Sequence, residues 1–159
     1  MKKILVFGNS GSGKTTLAKR LSHEEGLAHL DLDQLAWLDT DPPERAAIAA
    51  CLEKIRDFTS AHDSWVIEGC YTDLLELVSA DATEIFYLNL PVDQCIENAR
   101  NRPWEPHKYE SREAQDRNLD MLLSWIARYE HRDDEFSGSA HLAFYNNFPG
   151  KKTMLTENQ

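Results

Sequence analysis

The chain begins with Lys2-Lys3-Ile4-Leu5-Val6-Phe7 and runs directly into Gly8-Asn9-Ser10-Gly11-Ser12-Gly13-Lys14-Thr15-Thr16. The first segment is a short apolar run, as expected of a strand covered on both faces. The second spends three glycines, a lysine and two threonines where a plain turn would suffice. The following Lys14 to Glu25 reads as a helix, with Leu17, Ala18 and Leu21 on its buried side. Gly8-x-x-x-x-Gly13-Lys14-Thr15 is a phosphate-binding pattern (Walker A) set between strand and helix. Gly8, Gly11 and Gly13, with Ser12 between them, let backbone N–H groups wrap a phosphate. The helix adds its positive end. Lys14 supplies a full charge, and the Thr15 hydroxyl can take one Mg²⁺ position. Thr16 is also a candidate, although threonine in a first helical turn often only caps.

The rest of the chain alternates in the same way. AHLDLD, 28–33, reads as a second strand ending in two acids, and 43–60 as a helix whose apolar side carries Ile48, Cys51, Leu52, Ile55 and Phe58. SWVIEG, 64–69, is a third strand, YTDLLELVSA a short helix, TEIFYLNL, 83–90, a fourth strand, and 92–101 a helix. RPWEPHKYES has no apolar period and reads as a loop. Residues 112–132 read as one long helix, AHLAFYN, 140–146, as a fifth strand, and NFPGKK as a turn. Alternation of this kind predicts an α/β fold: three layers, with a five-stranded parallel sheet flanked by helices. No linker divides the 159 residues, so one domain is expected.

Open parallel sheets bind ligands beyond the carboxyl ends of their strands. Asp31 and Asp33 end the second strand and would share one wall of such a cleft if the strand persists through both. Glu68 ends the third. These three are the candidate partners of a phosphate-bound Mg²⁺, whose waters need carboxylates. Solvated turn aspartates would give the same spacing.

With 17 basic and 27 acidic residues the formal charge is −10. That weighs against direct nucleic-acid binding, which normally needs a basic surface. Nothing approaches a membrane-spanning run, and KKILVF is too short for the core of a secretory signal. Cys51, Cys70 and Cys95 are odd in number and widely spaced, as expected of reduced thiols in a cytoplasmic protein. His23, His29, His62, His131 and His141 show no ligand spacing and read as structural or surface residues. Trp37 and Tyr71 lie just past strand ends and could line an acceptor pocket or simply pack.

The chain resembles the small P-loop kinases, the adenylate kinase, shikimate kinase and gluconate kinase group. The resemblance rests on Gly8–Thr15, on DLDQLAW, 31–37, and on WVIEGCY, 65–71. It looks most like bacterial adenylate-kinase-like topology modulation proteins, with their Trp-Val-Ile-Asp/Glu-Gly-x-Tyr segment. The resemblance implies ATP and Mg²⁺ at Gly11, Gly13, Lys14, Thr15 and Thr16. It implies Asp31 near the metal, Asp33 facing the phosphoryl acceptor, and Glu68 on a metal-bound water. It also implies a lid, here about 102–115, with arginines clamping the transferred group; Arg102 and Arg117 are the preferred pair among Arg100, Arg102, Arg112 and Arg117. A loop after strand five that cups adenine would correspond to 147–152, including Gly150. The signatures that grip shikimate or a nucleotide acceptor do not occur, so the small-molecule acceptor is left open. A nucleotide-dependent regulatory NTPase, or a DNA-associated regulator, is the alternative.

Overall fold

The computed structural model describes residues 1–159. Five strands, β1 (Lys3–Gly8), β2 (Ala28–Asp31), β3 (Trp65–Glu68), β4 (Glu84–Leu88) and β5 (Lys151–Leu155), form one sheet in the order β2-β3-β1-β4-β5. All neighbours are parallel. Seven helices connect or cover them: α1 (Lys14–Glu25), α2 (Ile48–Ala61), α3 (Thr72–Val78), α4 (Val92–Arg100), α5 (Arg112–Arg117), α6 (Leu119–Ala127) and α7 (Gly138–Asn147). The expected α/β architecture is the one observed.

Alternation along the strands divides the interior in two. Leu5 and Phe7 of β1 and Trp65 and Ile67 of β3 enter a core built with α2, α3 and α7. Ile4, Val6 and Val66 point the other way, into a core with α1, α4 and α6. Because both faces are covered, β1 reads as a continuous apolar run. Its register against β3 pairs Val6 with Glu68, and β2 pairs Asp31 with Glu68. Two acids are thereby aligned at the carboxyl edge, beside the end of β1.

Four expectations are corrected. Residues 140–146 are helix, part of α7, and the fifth strand is Lys151–Leu155. The helix expected over 43–60 starts at Ile48; Arg45 instead bridges to Trp37 in an extended pairing. The single helix expected over 112–132 is broken at Asn118 into α5 and α6. Finally, β2 stops at Asp31, whose side chain accepts from the Asp33 N–H and starts a 3₁₀ turn, Leu32–Gln34. No helix is long and apolar enough to cross a membrane. Cys51, Cys70 and Cys95 are all free thiols.

Candidate active site

The loop after β1 turns on glycines that no other residue could replace without a clash or strain. Gly11 has φ +78°, and a Cβ there would lie 2.4 Å from the Cys95 carbonyl oxygen. Gly13 caps α1 at φ +92°, and a Cβ there would meet nothing within 4 Å. The loop is thus packed tightly against α4 at Gly11 and open toward the cavity side at Gly13. The first turn of α1 carries no acid to offset its positive end. Lys14 Nζ donates to the Asn9 carbonyl at 2.8 Å, and Asn9 Nδ2 donates to the Ile126 carbonyl at 3.3 Å, tying the loop to α6. The Ser12 hydroxyl is buried with no partner. A buried polar atom of this kind is costly unless something else satisfies it.

The loop forms one wall of a cavity of about 710 Å³. Gly11, Ser12, Gly13, Lys14, Thr15 and Thr16 line it, together with Asp31, Asp33 and Glu68. Arg102 and Lys108, from the 101–111 loop, reach it from above. Glu68 is 2% exposed. One of its oxygens accepts from the Thr15 hydroxyl at 2.6 Å, and the other meets His29 Nε2 at 2.6 Å. His29 is therefore a neighbour of the site rather than a plain surface residue.

The two aspartates face different surroundings. Asp31 is buried, and burial together with the charges of Asp33 and Glu68 raises its carboxyl above the usual range. Asp33 is only partly withdrawn from water, and the desolvation that would raise it is outweighed by the Lys108 ammonium, the Tyr71 hydroxyl and Lys14, which hold that carboxyl below the usual range. Lys108 Nζ lies 3.1 Å from Asp33, 3.8 Å from Asp31 and 3.6 Å from Glu105. Those three charges overcome the cost of burial and raise the Lys108 ammonium above its ordinary value. Tyr71 donates its hydroxyl proton to Asp33 and accepts from Trp37 Nε1 at 2.8 Å. Arg45 stacks 4.8 Å from the Tyr71 ring centroid and is held by Asp73 at 3.0 Å and Glu135 at 3.2 Å.

Not every candidate from the sequence is at this site. Arg102 lines the cavity, paired with Glu105 at 3.3 Å. Arg117 ends α5, is exposed and does not line the cavity. Gly8 ends β1, directly under the loop. Gly150 is displaced altogether: it precedes β5, and Lys151 pairs with Glu84 at the amino end of β4, opposite the phosphate loop. The segment that follows β5 is 156–159, and Asn158 and Gln159 do reach the cavity. Asn158 forms a reciprocal amide pair with Asn98, which donates to the Gly11 carbonyl at 2.8 Å. Lys108, Arg45, His29 and Asn98 were not legible as site residues. Only Lys108 carried a signal, as the lysine of the loop that also holds Arg102.

The donor set fits a hard divalent cation. Thr15, Asp31 and Glu68 offer only oxygen, and no group of three or more His, Cys, Asp or Glu side chains is gathered to hold a metal. An ion here would take its remaining ligands from phosphate and water, as Mg²⁺ commonly does.

Comparison with known proteins agrees with this geometry. A family model described as AAA domain matches residues 4–118. Uncharacterized protein YqaC of Bacillus subtilis (strain 168) is 28% identical over 153 residues, covering 87% of this chain and 79% of its own. A shikimate kinase of Parabacteroides distasonis is 24% identical over 170 residues, covering 99% of this chain and 92% of its own. Among solved structures, a shikimate kinase from Bacteroides thetaiotaomicron aligns with TM-score 0.53 at 17% identity, over 91% of this chain and 97% of that one. An unliganded sugar kinase from Janibacter sp. HTCC2649 aligns with TM-score 0.52 at 15% identity, over 98% and 85%. At such identities these structures speak to the fold alone. The family match itself runs from β1 through α5, across the phosphate loop, both acidic strand ends and the 101–111 loop, and so the chain belongs to the AAA domain family, as a small P-loop domain of the adenylate kinase and shikimate kinase type.

Proposed function

We propose that this protein transfers the γ-phosphoryl group of Mg·ATP to a hydroxyl of a small-molecule acceptor. One observation carries the proposal. Asp33, kept ionised by Lys108 and Tyr71, shares a single cavity with the phosphate loop and Lys14. Two neighbouring carboxyls whose protonation is pushed apart are a common mark of divided roles.

In this reading the backbone of Gly8 to Gly13, the Ser12 hydroxyl and Lys14 hold the β- and γ-phosphates. Thr15 would ligate Mg²⁺, with Asp31 and Glu68 holding its waters and Thr16 beside it. When bound, the ion neutralises phosphate charge. Asp33 accepts a hydrogen bond from the acceptor hydroxyl and takes its proton as that oxygen bonds to the γ-phosphorus. The bond from the γ-phosphorus to the β–γ bridging oxygen breaks, and ADP leaves. Arg102 lines the cavity, paired with Glu105, and can exchange that carboxylate for the transferring group, acting as a cationic clamp. The 101–111 loop then serves as the lid. Arg117 has no part in this scheme.

The test uses Asp33→Asn and Lys14→Ala, with ATP affinity measured by calorimetry and turnover by ADP release. Lys14→Ala should abolish turnover. Asp33→Asn should lower acceptor-stimulated turnover by roughly 100-fold or more, with ATP affinity held within about threefold. ADP release that is slow, independent of any acceptor and indifferent to Asp33→Asn would instead establish a regulatory NTPase.

A further inference from the structure

An acceptor that carries a phosphate or a carboxylate needs cations with free donors, most often an arginine fork. The cations nearest Asp33 are paired with carboxylates. Arg45, stacked on Tyr71, gives its donors to Asp73, Glu135 and the Ala36 carbonyl. Arg132, one aromatic layer further back and not part of the cavity lining, is held by Asp134 through Nε and Nη2 and lies 3.5 Å over Trp125, with its buried Nη1 unpartnered. Lys108 faces Asp33, Asp31 and Glu105 together. Arg102 is paired with Glu105 and has the phosphoryl group to serve. The remaining cavity cations, Lys14, Lys19 and Arg20, come from the phosphate loop and α1, the nucleotide's side.

Against these stand Asp31, Asp33, Glu68 and Glu105. A second anion beside Asp33 would meet carboxylates whose nearest cations, Lys108, Arg102 and Arg45, are already paired, and like-charge juxtaposition is strongly disfavoured. Hydroxyl groups suit the same surroundings, because an ionised carboxylate only accepts hydrogen bonds. The cavity is polar: of 26 lining residues, three are hydrophobic, so an acceptor with several hydroxyls finds hydrogen-bonding partners on many sides. Trp104, 41% exposed, lines the cavity from the loop above and offers an apolar surface to the C–H side of a ring.

We infer that the acceptor is a neutral, hydroxyl-rich small molecule, a sugar or polyol without phosphate or carboxylate groups; this rests on the kinase reading above. The experiment is ADP release by the wild-type protein with Mg·ATP and four matched pools: neutral sugars and polyols, the corresponding sugar acids, the corresponding sugar phosphates, and nucleosides with their monophosphates. Mg·ATP binding is measured in parallel by calorimetry. The neutral pool should give a kcat/KM at least about tenfold above every other pool. Parity, or preference for a sugar acid, a sugar phosphate or a nucleoside pool, overturns the inference and leaves the kinase reading standing. Mg·ATP binding with no stimulation by any pool overturns the kinase reading, and the inference falls with it.

Discussion

Asp31 and Asp33 are two residues apart, yet their surroundings drive their protonation in opposite directions. The difference comes from what each meets. Asp31 is turned inward to cap the 3₁₀ turn, near Glu68. Asp33 stands further out, with 42% of its side chain exposed, between Lys108 and the Tyr71 hydroxyl. Tyr71 in turn accepts from Trp37, so its hydroxyl proton is directed at the carboxylate. Tyr71→Phe keeps the ring, its stacking on Arg45 and its place in the core. It removes one hydrogen bond to an ionised group and leaves the Trp37 N–H without its partner. A lost bond of that kind is worth about 1.5–3 kcal/mol, so acceptor-stimulated kcat should fall roughly tenfold or more, with ATP affinity unchanged. Steady-state kinetics beside ATP calorimetry checks this. A matching loss of ATP affinity would mean that Tyr71 supports the phosphate loop rather than Asp33.

At the scale of elements, what could be read from the sequence follows burial. β1, β3 and β4 are covered on both faces and announce themselves as apolar runs. β5 does not, because it is an edge strand whose Lys151 and Lys152 are exposed and whose remaining residues are only half buried. Its place is easily given to AHLAFYN, where aromatic residues suggest a strand. There the Ser137 hydroxyl accepts from the Ala140 N–H and starts a helix, and His141 and Phe144, three apart, share its buried side. The phosphate loop and the acidic strand ends were legible because their chemistry is local. Lys108 was not, since its distance from Asp33 depends on how a 75-residue separation folds back. Misplacing β5 also misplaces Gly150, and this has a measurable consequence. A Cβ at Gly150 would lie 2.7 Å from the ring of Phe148, which is 6% exposed, and 3.3 Å from the Thr83 carbonyl oxygen. Gly150→Ala should therefore cost about 1–3 kcal/mol of stability through overpacking, while ATP affinity stays unchanged. Urea unfolding and ATP calorimetry on the same variant decide it. Weakened ATP binding at unchanged stability would return Gly150 to the nucleotide site.

Across the whole molecule the two cores depend differently on polar groups. The α1 face is sealed by aliphatic side chains, whereas the α7 face carries a buried chain of hydrogen bonds among its aromatic rings. His141 Nε2 lies 2.8 Å from the Cys70 carbonyl, which can only accept, so Nε2 carries the proton. Nδ1 must then accept from the Tyr129 hydroxyl at 2.6 Å, and Tyr129 accepts from Tyr87 at 2.7 Å. The chain runs one way from β4, through the turn after α6 and into α7, and ends just past the acidic tip of β3. Protonating His141 would reverse its middle bond and place a charge in a site with no exposure. Burial accordingly pushes its pKa down from 6.5 to about 4. The unfolded chain binds this proton near pH 6.5 and the folded chain does not until about pH 4. The stability that a neutral His141 allows is thus complete above pH 6.5 and is lost as the pH falls toward 4. The loss is about 3 kcal/mol, because each tenfold drop in proton affinity on folding is worth about 1.4 kcal/mol. His141→Gln should lower stability at every pH but remove this part of the slope. Unfolding free energies of the two proteins, measured in urea from about pH 7 to about pH 4, should therefore converge as the medium is acidified, because the acidic side chains titrate alike in both. Profiles that stay parallel would show that the imidazole is protonated as easily in the folded chain as in the unfolded one, and that the one-way chain from Tyr87 to Cys70 is not what joins α7 to the sheet.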